Sequence, residues 1–236
     1  MTRLCVVIAA YDEESNVEPL LRRLHGVLTV QPDLAWRILF VVEGVDRTRE
    51  ILEALAGELG GDIRVLYGPR PSGLGMAFRR GFAAVPDDTD VVVTMDADLN
   101  HQPEEIPRLL AARAATGADI LIGSRFIAGS RVEGTPLWKR SLSGLLNGVM
   151  RWRYGLRVVD KTSGFRVYRA AVLSRLTFAN PDFAFLPELL VRAQRAGYRL
   201  AEEPIHFVFR RQGTSKLRFW ETSFSYLRLL FTRWRP

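Results

Sequence analysis

Short apolar runs alternate with longer segments of helical periodicity through the first half of the chain. Five runs of five to seven mostly apolar residues, typical of buried strands, lie at positions 4–10, 37–42, 63–67, 91–95 and 119–123. Apolar residues spaced three or four apart between these runs predict helices at 17–30, 48–59, 76–84 and 105–115. Strands that are apolar throughout need both faces covered, so the pattern predicts a doubly wound, mostly parallel α/β sheet.

The pattern changes after Gly129. A loop marked by Gly and Pro leads to a predicted helix at 137–154, a loop at 161–164 and a strand at 165–168. A helix at 187–196, a strand at 199–209 and a terminal helix at 218–234 follow. The 236 residues contain no repeat or low-complexity linker. We therefore expect one domain over 1–217, with a C-terminal elaboration, and an amphipathic helix over 218–236.

Composition favours a folded, water-soluble domain, since 47% of the residues are hydrophobic and 25% are charged. Cys5 is the single cysteine, which excludes an intrachain disulfide and a thiolate metal cluster and favours a reducing compartment. No run reaches the roughly 18 apolar residues of a membrane span, and a strand-like run begins at the N-terminus. We expect a cytoplasmic protein without a signal peptide or membrane span.

Positive charge is concentrated in two segments. Positions 139–169 and 205–236 together contain 15 Lys and Arg but two acidic residues, whereas the remaining chain has 18 basic and 24 acidic residues. Such segments favour an anionic partner, either nucleic acid, an anionic membrane surface or a phosphorylated substrate. Nucleic acid is disfavoured because no known reading motif accompanies the charge. A solvated surface is the alternative, since 30 of the 33 basic residues are Arg.

Two carboxylates, Asp96 and Asp98, follow directly after the apolar strand at 91–95. Ligands of parallel α/β sheets bind at the carboxyl ends of the strands. Paired carboxylates beside Asn100 suit Mg²⁺ or Mn²⁺ held on a diphosphate, because these ions combine carboxylates with substrate phosphates and water. The alternative is a turn in which Asp98 and Asn100 cap the helix that starts near Glu104.

The segment after the first strand offers a second group of polar side chains. Tyr11 with Asp12 or Glu13 could hold a base and its sugar at the same edge of the sheet. The alternative is capping of the following helix by Asp12 or Ser15.

A glycine pair, Gly73 and Gly75, precedes the predicted helix at 76–84. Glycines at this place can bring backbone N–H groups to a phosphate. A tight turn without a ligand explains them equally well.

Five ordered motifs resemble the family 2 glycosyltransferases of the GT-A fold, in their polyprenol-phosphate mannosyltransferase (dolichol-phosphate mannose synthase) branch. The motifs are DADLNHQPE at 96–104, GSRF at 123–126, VEG with WKR at 132–140, TSGFR at 162–166 and RRQGTSKL at 210–217. The resemblance covers nearly the whole chain. It implies a Rossmann-like domain that transfers a hexose from a nucleotide sugar, typically GDP-mannose, to a polyprenyl monophosphate, with Mg²⁺ or Mn²⁺ on the donor diphosphate.

The resemblance also implies roles for single residues. The metal ligands would be Asp96, Asp98 and Asn100. The acceptor phosphate would be held by Arg125, Lys139 and Ser143. The donor would be bound by Tyr11, Glu13, Glu43, Arg70, Asp96, Arg210 and Lys216. Direct catalytic roles would fall to Asp98, Arg125 and Arg211.

The expected acceptor agrees with a missing catalytic base. Family 2 enzymes that use hydroxyl acceptors carry a Glu-Asp pair late in the domain, whereas Glu188 is followed here by Leu189. A phosphate monoester is already largely ionised near pH 7, its second pKa being about 6, and needs no base. We interpret Glu188 as a helix-start acid in a surface ion pair and leave it out of catalysis.

Two departures from the family pattern concern the donor. Val42 and Glu43 stand where two Asp residues are usual, and Pro71 stands near a usual lysine, leaving Arg70 as the nearest cation. Three alternatives therefore stay open. The enzyme could use another donor, such as UDP-glucose, or another acceptor. The chain could also be a decayed module that binds a membrane or nucleic acid.

Aromatic and apolar residues recur at near-helical spacing in the terminal segment. They are Phe219, Trp220, Phe224, Leu227, Phe231 and Trp234. Together with nearby Arg residues, this stripe predicts a peripheral helix in the interface of an anionic membrane, on its cytoplasmic face. Packing of the stripe on the domain or on a second subunit is the alternative.

Overall fold

The structure, a computed structural model, describes residues 1–209, with the side chains of residues 137–142 excepted. The strands are β1 (Thr2–Tyr11), β2 (Leu34–Glu43), β3 (Asp62–Gly68), β4 (Val91–Asp96), β5 (Ile120–Ser124), β6 (Arg131–Glu133), β7 (Arg166–Arg169), β8 (Leu200–Pro204) and β9 (His206–Val208). The helices are α1 (Val17–Thr29), α2 (Thr48–Leu59), α3 (Leu74–Ala83), α4 (Ile106–Thr116), α5 (Leu137–Tyr154), α6 (Ala170–Leu173) and α7 (Phe185–Arg195).

Seven strands form one twisted sheet in the order β3-β2-β1-β4-β7-β5-β8. All neighbours are parallel except β7, which runs antiparallel to both β4 and β5. The chain passes from β1 outward through β2 to β3 and then returns to β4 on the other side of β1. This reversal of strand order opens a crevice at the carboxyl ends of β1 and β4, where α/β sheets bind ligands.

Alternate residues of the central strands enter two separate cores, as the continuous apolar runs require. Leu4, Val6 and Ile8 of β1 pack on one face with α1, α2 and α4, whereas Cys5 and Val7 pack on the other face with α3 and α7. The predicted doubly wound sheet is therefore confirmed.

The strand predicted at 199–209 is wrong as a single element. The chain divides at Ile205 into β8, which pairs with β5, and β9, which pairs with β6 in a separate two-stranded sheet. The N–H of Ile205 donates to Ser124 O at 3.0 Å, while its carbonyl accepts from Arg131 N at 3.0 Å, so the chain crosses from one sheet to the other here. The preceding Pro204 has no N–H and cannot extend the β8 ladder.

Smaller differences also occur in the second half. The three-residue strand β6 and the four-residue helix α6 were not predicted, because such short elements leave no readable period. Helix α7 begins at Phe185, two residues before the predicted start. None of the helices within residues 1–209 is long and apolar enough to cross a membrane. The predicted terminal helix and the domain boundary at 217 lie outside this part of the chain.

Candidate active site

The crevice at the ends of β1 and β4 gathers the polar residues that follow these strands. Tyr11, the last residue of β1, is paired in register with Glu43, the last residue of β2. Asp96, the last residue of β4, lies opposite Ala9 of β1. The Tyr11 side chain is half exposed at the rim. The sheet therefore brings Tyr11, Glu43 and Asp96 to one edge, as their positions after successive strands predict.

Asp96 presents a carboxylate that needs a cationic partner. No residue among 1–209 donates a hydrogen bond to its side-chain oxygens, yet 31% of the side chain is exposed and accessible to a ligand. Burial, opposed by the charge of Arg125, together with the nearby Glu13 carboxylate, opposed by Arg166, raises the pKa of Asp96 to a net value of about 6. A positive charge at this point would stabilise the ionised carboxylate.

His101 fixes the backbone of Asp96 without neutralising its carboxylate. The Asp96 N–H donates to His101 Nδ1 at 3.3 Å, and burial lowers the pKa of His101 to about 4. The imidazole is therefore neutral, and it packs against the rings of Phe165 and Phe207 at centroid distances of 5.1 and 5.6 Å. Sequence reasoning assigned no role to His101, although its place inside the 96–104 motif was the available signal.

Asp98 and Asn100 form a tight turn directly after Asp96. The Asn100 N–H donates to Asp98 Oδ1 at 3.1 Å and its Nδ2 donates to Asp98 Oδ2 at 2.7 Å. Leu99 between them has φ of +62°, a conformation uncommon for a residue with a side chain and frequent at functional turns. Asp98 thus stabilises this turn instead of capping a helix, and its side chain is partly exposed.

The donor set fits a hard divalent cation that is shared with a substrate. Asp96 and Asp98 offer carboxylate oxygens from one turn, the ligand type that Mg²⁺ and Mn²⁺ prefer. Within residues 1–209, no three His, Cys, Asp or Glu side chains are grouped closely enough to hold an ion by themselves. An ion at this place would therefore complete its shell with phosphate oxygens and water, as Mg²⁺ usually does.

The loop after β1 is held by the loop after β2. Glu13 is buried, its N–H donates to Thr48 Oγ1 at 2.8 Å, and its carboxylate accepts from Asn16 Nδ2 at 2.5 Å. Asp12, with φ of +48°, accepts the N–H of Val45 at 3.1 Å. The predicted alternative, capping of α1 by Asp12 or Ser15, is wrong, because the cap position is Asn16 and no side chain bonds there.

Glu43 is buried, and its carboxylate is hydrogen-bonded to α3 and to the loop that precedes it. Its carboxylate accepts from Ser72 N at 2.8 Å, from Ser72 Oγ and from Arg80 Nη1 at 3.2 Å. Arg70 lies exposed in the same loop. The acid that replaces the usual pair in this family therefore anchors the loop beside the crevice in this structure.

The glycine pair at 73 and 75 serves a close approach of two backbones. Gly73 has φ of +95°, and a Cβ there would lie 2.6 Å from Pro181 O. A Cβ on Gly75 would collide with Asn180 O, and the Met76 N–H donates to Pro181 O at 3.2 Å. The close approach of the loop at 180–182 thus accounts for both glycines and engages the Met76 N–H.

Arg125 lies beside the crevice in a nearly buried ion pair. Its Nε and Nη2 donate to the two oxygens of Asp160 at 2.7 and 2.8 Å, and Nη2 also donates to Thr162 Oγ1 at 2.7 Å. Ser143 is half-buried on α5. Lys139 lies on the same helix and is one of the residues whose side chains the structure does not describe. Arg210, Arg211 and Lys216 lie outside the described residues.

Glu188 is not the surface acid that its position suggests. Its side chain is fully buried on α7 and accepts the N–H groups of Ala179 and Asn180 at 2.8 and 2.9 Å, besides Arg192 Nε at 2.9 Å. A carboxylate with this many donors is a structural acceptor. The prediction that Glu188 stands outside the reacting groups is consistent with this placement, but the expected surface ion pair is wrong.

Solved structures share this architecture. Glucosyl-3-phosphoglycerate synthase from Mycobacterium tuberculosis, crystallised with phosphoglyceric acid, matches with a TM-score of 0.68 at 21% identity, over 97% of this chain and 78% of that chain. The same enzyme with Mn²⁺ and UDP-glucose also gives 0.68 at 21% identity, over 97% and 77%. The GT-A, Rossmann-like fold is thereby confirmed.

Curated proteins match at higher identity. Polyprenol monophosphomannose synthase of Mycolicibacterium smegmatis is 34% identical over 91% of this chain and 81% of its own length. Undecaprenyl-phosphate mannosyltransferase of Micrococcus luteus is 33% identical over 91% and 87%. Dolichol-phosphate mannosyltransferase of Pyrococcus furiosus is 33% identical over 97% of this chain, which spans 63% of that protein. A model of glycosyl transferase family 2 matches residues 5–177, and the chain belongs to this family.

Proposed function

We propose that this glycosyltransferase transfers mannose from GDP-mannose to a polyprenyl monophosphate with inversion at the anomeric carbon, and that it depends on Mg²⁺ or Mn²⁺. The observation that carries the proposal is the Asp96 carboxylate, which lies at the switch point of the sheet without a hydrogen-bond donor from residues 1–209. The names of three relatives, all mannose-transferring enzymes of lipid phosphates, support the acceptor and the sugar.

The donor diphosphate would lie at the turn formed by Asp96 and Asp98. Asp96, Asp98 and Asn100 would hold the cation, and the bound cation supplies positive charge beside the departing diphosphate. The neighbouring structure crystallised with Mn²⁺ and UDP-glucose supports this arrangement at the level of the shared fold. Tyr11 and Glu13, at the ends of β1 and its loop, would face the nucleoside.

The reaction needs no catalytic base from the protein. An oxygen of the ionised acceptor phosphate attacks the anomeric carbon, the bond from that carbon to the donor diphosphate breaks, and the nucleoside diphosphate leaves with the electron pair. The Glu188 carboxylate accepts four hydrogen bonds, from Ala179, from Asn180 twice and from Arg192, and we therefore assign it no role as a base. The protein's task is to align two anionic reactants and to stabilise the charge of the leaving group.

The acceptor phosphate would be held by Arg125, Lys139 and Ser143, and Arg210, Arg211 and Lys216 would close over both substrates. The two hydrogen bonds from Arg125 to Asp160, which fix the plane of the guanidinium, support this role for Arg125. The second basic segment and the apolar stripe at 218–236 would bind the surface of an anionic membrane that contains the lipid acceptor.

A different nucleotide sugar is the competing proposal for the donor. The observation in its favour is Glu43, which stands in place of the usual acid pair and is already bonded to Ser72 and Arg80. A carboxylate that already accepts these hydrogen bonds would contact a nucleoside differently from a pair of Asp side chains. UDP-glucose, the donor in the neighbouring structure, is therefore the first comparison.

The test is direct transfer. The purified chain is incubated with Mn²⁺ or Mg²⁺, a short-chain polyprenyl phosphate and one of several radiolabelled nucleotide sugars, and label is counted in the organic phase. Transfer from GDP-mannose alone, abolished by a chelator, is the expected result. Transfer from another donor would replace the donor while keeping the mechanism, and no transfer from any donor would overturn the proposal in favour of a binding module.

The membrane proposal has its own test. Sedimentation with vesicles that contain anionic lipid is compared between the full chain and a chain ending before Phe219. We expect the shorter chain to stay in the supernatant, whereas equal sedimentation of both chains would overturn the interfacial role of the terminal segment.

A further inference from the structure

The segment from Asp160 to Arg166, which we call the 160–166 loop, is held in place by hydrogen bonds from the buried side chain of Arg166. This arginine is completely buried and lies at the start of β7. Its guanidinium donates to the carbonyls of Ser163 at 2.8 Å, Lys161 at 2.9 Å and Leu186 of α7 at 2.9 Å. A buried arginine whose donors reach backbone carbonyls holds a loop rigid, because releasing it would leave a charge and several acceptors unpaired.

Two further contacts fix the same loop to its surroundings. The N–H of Lys161 donates to Asn147 Oδ1 of α5 at 2.9 Å. The carbonyl of Phe165 accepts the N–H of Gly123 of β5 at 2.8 Å. The loop is thus attached to α5, α7 and β5.

One end of the 160–166 loop forms a wall behind Asp96. Thr94, buried on β4, donates from Oγ1 to the Gly164 carbonyl at 2.7 Å. A Cβ on Gly164 would lie 3.0 Å from Asp96 Oδ1 and 3.3 Å from Oδ2. The backbone of Gly164 does not itself require glycine, since its φ lies outside the left-handed range. A side chain at position 164 would therefore require the Asp96 carboxylate to shift by a few tenths of an ångström.

The other end of the loop orients Arg125. Asp160 is completely buried, and besides the two bonds from the Arg125 guanidinium it accepts the N–H groups of Thr162 at 3.1 Å and Ser163 at 3.0 Å. The Arg125 guanidinium is therefore held in a two-point ion pair whose acid cannot rotate away. The loop determines where this cation points.

We propose that Gly164 and Asp160 are positioning residues, one for each substrate of the transfer. Gly164, held by Thr94, sets the place of the Asp96 carboxylate and so governs binding of the cation and the donor diphosphate. Asp160 sets the direction of Arg125 and so governs binding of the acceptor phosphate. This inference rests on the proposed function, but it predicts a separation of effects that the function alone does not require.

The experiment measures KM for the donor and KM for the acceptor in four variants and in matched controls. Gly164→Ala should raise the donor KM and the Mn²⁺ requirement roughly several-fold with little change in the acceptor KM, because the Asp96 carboxylate must shift by a few tenths of an ångström and such sites are sensitive to small displacements. Asp160→Asn should raise the acceptor KM and leave the donor KM near its original value. Thr94→Val should reproduce the Gly164→Ala effect, and Thr94→Ser should restore the original values.

The controls repeat the same chemical changes away from the crevice. Gly57→Ala adds a methyl group on α2, where a Cβ meets nothing within 4 Å. Asp119→Asn removes the acid from the ion pair with Arg169, 2.7 Å apart, at the opposite end of β5. Both controls should keep both KM values.

Binding measured without turnover separates this inference from the proposed function. Calorimetric titration of GDP in the presence of Mn²⁺ should show weaker binding to Gly164→Ala and unchanged binding to Asp160→Asn. If the wild type binds but transfers no sugar, the proposed function fails and these titrations still decide the role of Gly164. If the wild type is active and each variant raises both KM values equally, the loop is merely structural and the inference is overturned.

Discussion

The Glu188 carboxylate accepts the backbone N–H of Asn180 at 2.9 Å, and this contact ties α7 to the loop that covers the start of α3. The same loop presents Pro181 O to the Met76 N–H at 3.2 Å. A buried acid therefore supports, through one loop, the glycine turn beside the crevice. Glu188 therefore acts as a structural acceptor that holds this loop beside the crevice.

Replacing Glu188 with Ala should destabilise the fold more than it harms chemistry. The change removes the buried acceptor of the partly exposed N–H groups of Ala179 and Asn180 and of Arg192 Nε, at a cost of roughly 1–3 kcal/mol in the free energy of unfolding. Urea denaturation measures this loss. Glu188→Gln, which keeps one acceptor oxygen, should lose less stability and retain turnover in the transfer assay, and complete inactivity of a folded Gln variant would identify Glu188 as a reacting group.

Asp98→Ala should abolish metal-dependent transfer while leaving the fold intact. Asp98 is partly exposed and lies outside both hydrophobic cores, although its loss removes the acceptor of the Asn100 N–H and Nδ2 groups. We expect kcat/KM to fall at least about 100-fold, since a bound cation contributes several kcal/mol to stabilisation of the leaving group. Asp87→Ala, an exposed aspartate in the loop before β4, is the matched control. Undiminished transfer by Asp98→Ala would remove Asp98 from the metal site.

The ion pair of Asp160 and Arg125 should give the protein a measurable acid sensitivity. Burial alone would raise the pKa of Asp160, but the charge and hydrogen bonds of Arg125 outweigh it and hold this pKa below its ordinary value of 3.8. A group whose pKa is lowered by folding contributes stability above its unfolded pKa and loses it as pH falls through the folded value. The pair therefore contributes fully above about pH 4.

Urea unfolding of the wild type and of Asp160→Asn at a series of pH values tests this sign. The wild type should be more stable by roughly 2–4 kcal/mol at neutral pH, and the difference should shrink below the ordinary pKa of 3.8. A difference that stays constant into acid would show that the stability comes from shape and not from the charge of Asp160.

Cys5 should be unreactive in the folded protein. The thiol lies on β1 with 1% of the residue exposed, and burial raises its pKa to about 12. Since the thiolate is the reacting form, neither access nor ionisation favours modification. A coloured disulfide reagent should label Cys5 only as fast as the protein unfolds, with Cys5→Ala as the blank. Immediate stoichiometric labelling of the native protein would contradict the placement of Cys5 in the core.

The early part of the fold was readable from the sequence because its signals are local. The apolar runs that became β1, β2, β4 and β5 are buried on both faces, and such strands show as continuous hydrophobic segments. The crossing at Ile205 was not readable, because β8 and β9 follow each other with one residue between them, and nothing in the local sequence shows that they join two different sheets. Which sheet a residue joins depends on distant partners such as Ser124 and Arg131.

The candidate site divides in the same way. Strand ends and motif spacing determined that Asp96 and Asp98 lie at the edge of the sheet, because a side chain directly after a buried strand has no other place. The tertiary structure alone decided that His101 stays neutral, that Glu188 is buried, and that Gly164 backs onto Asp96. These properties come from burial and from contacts between residues far apart in the chain, and no local pattern of residue types encodes them.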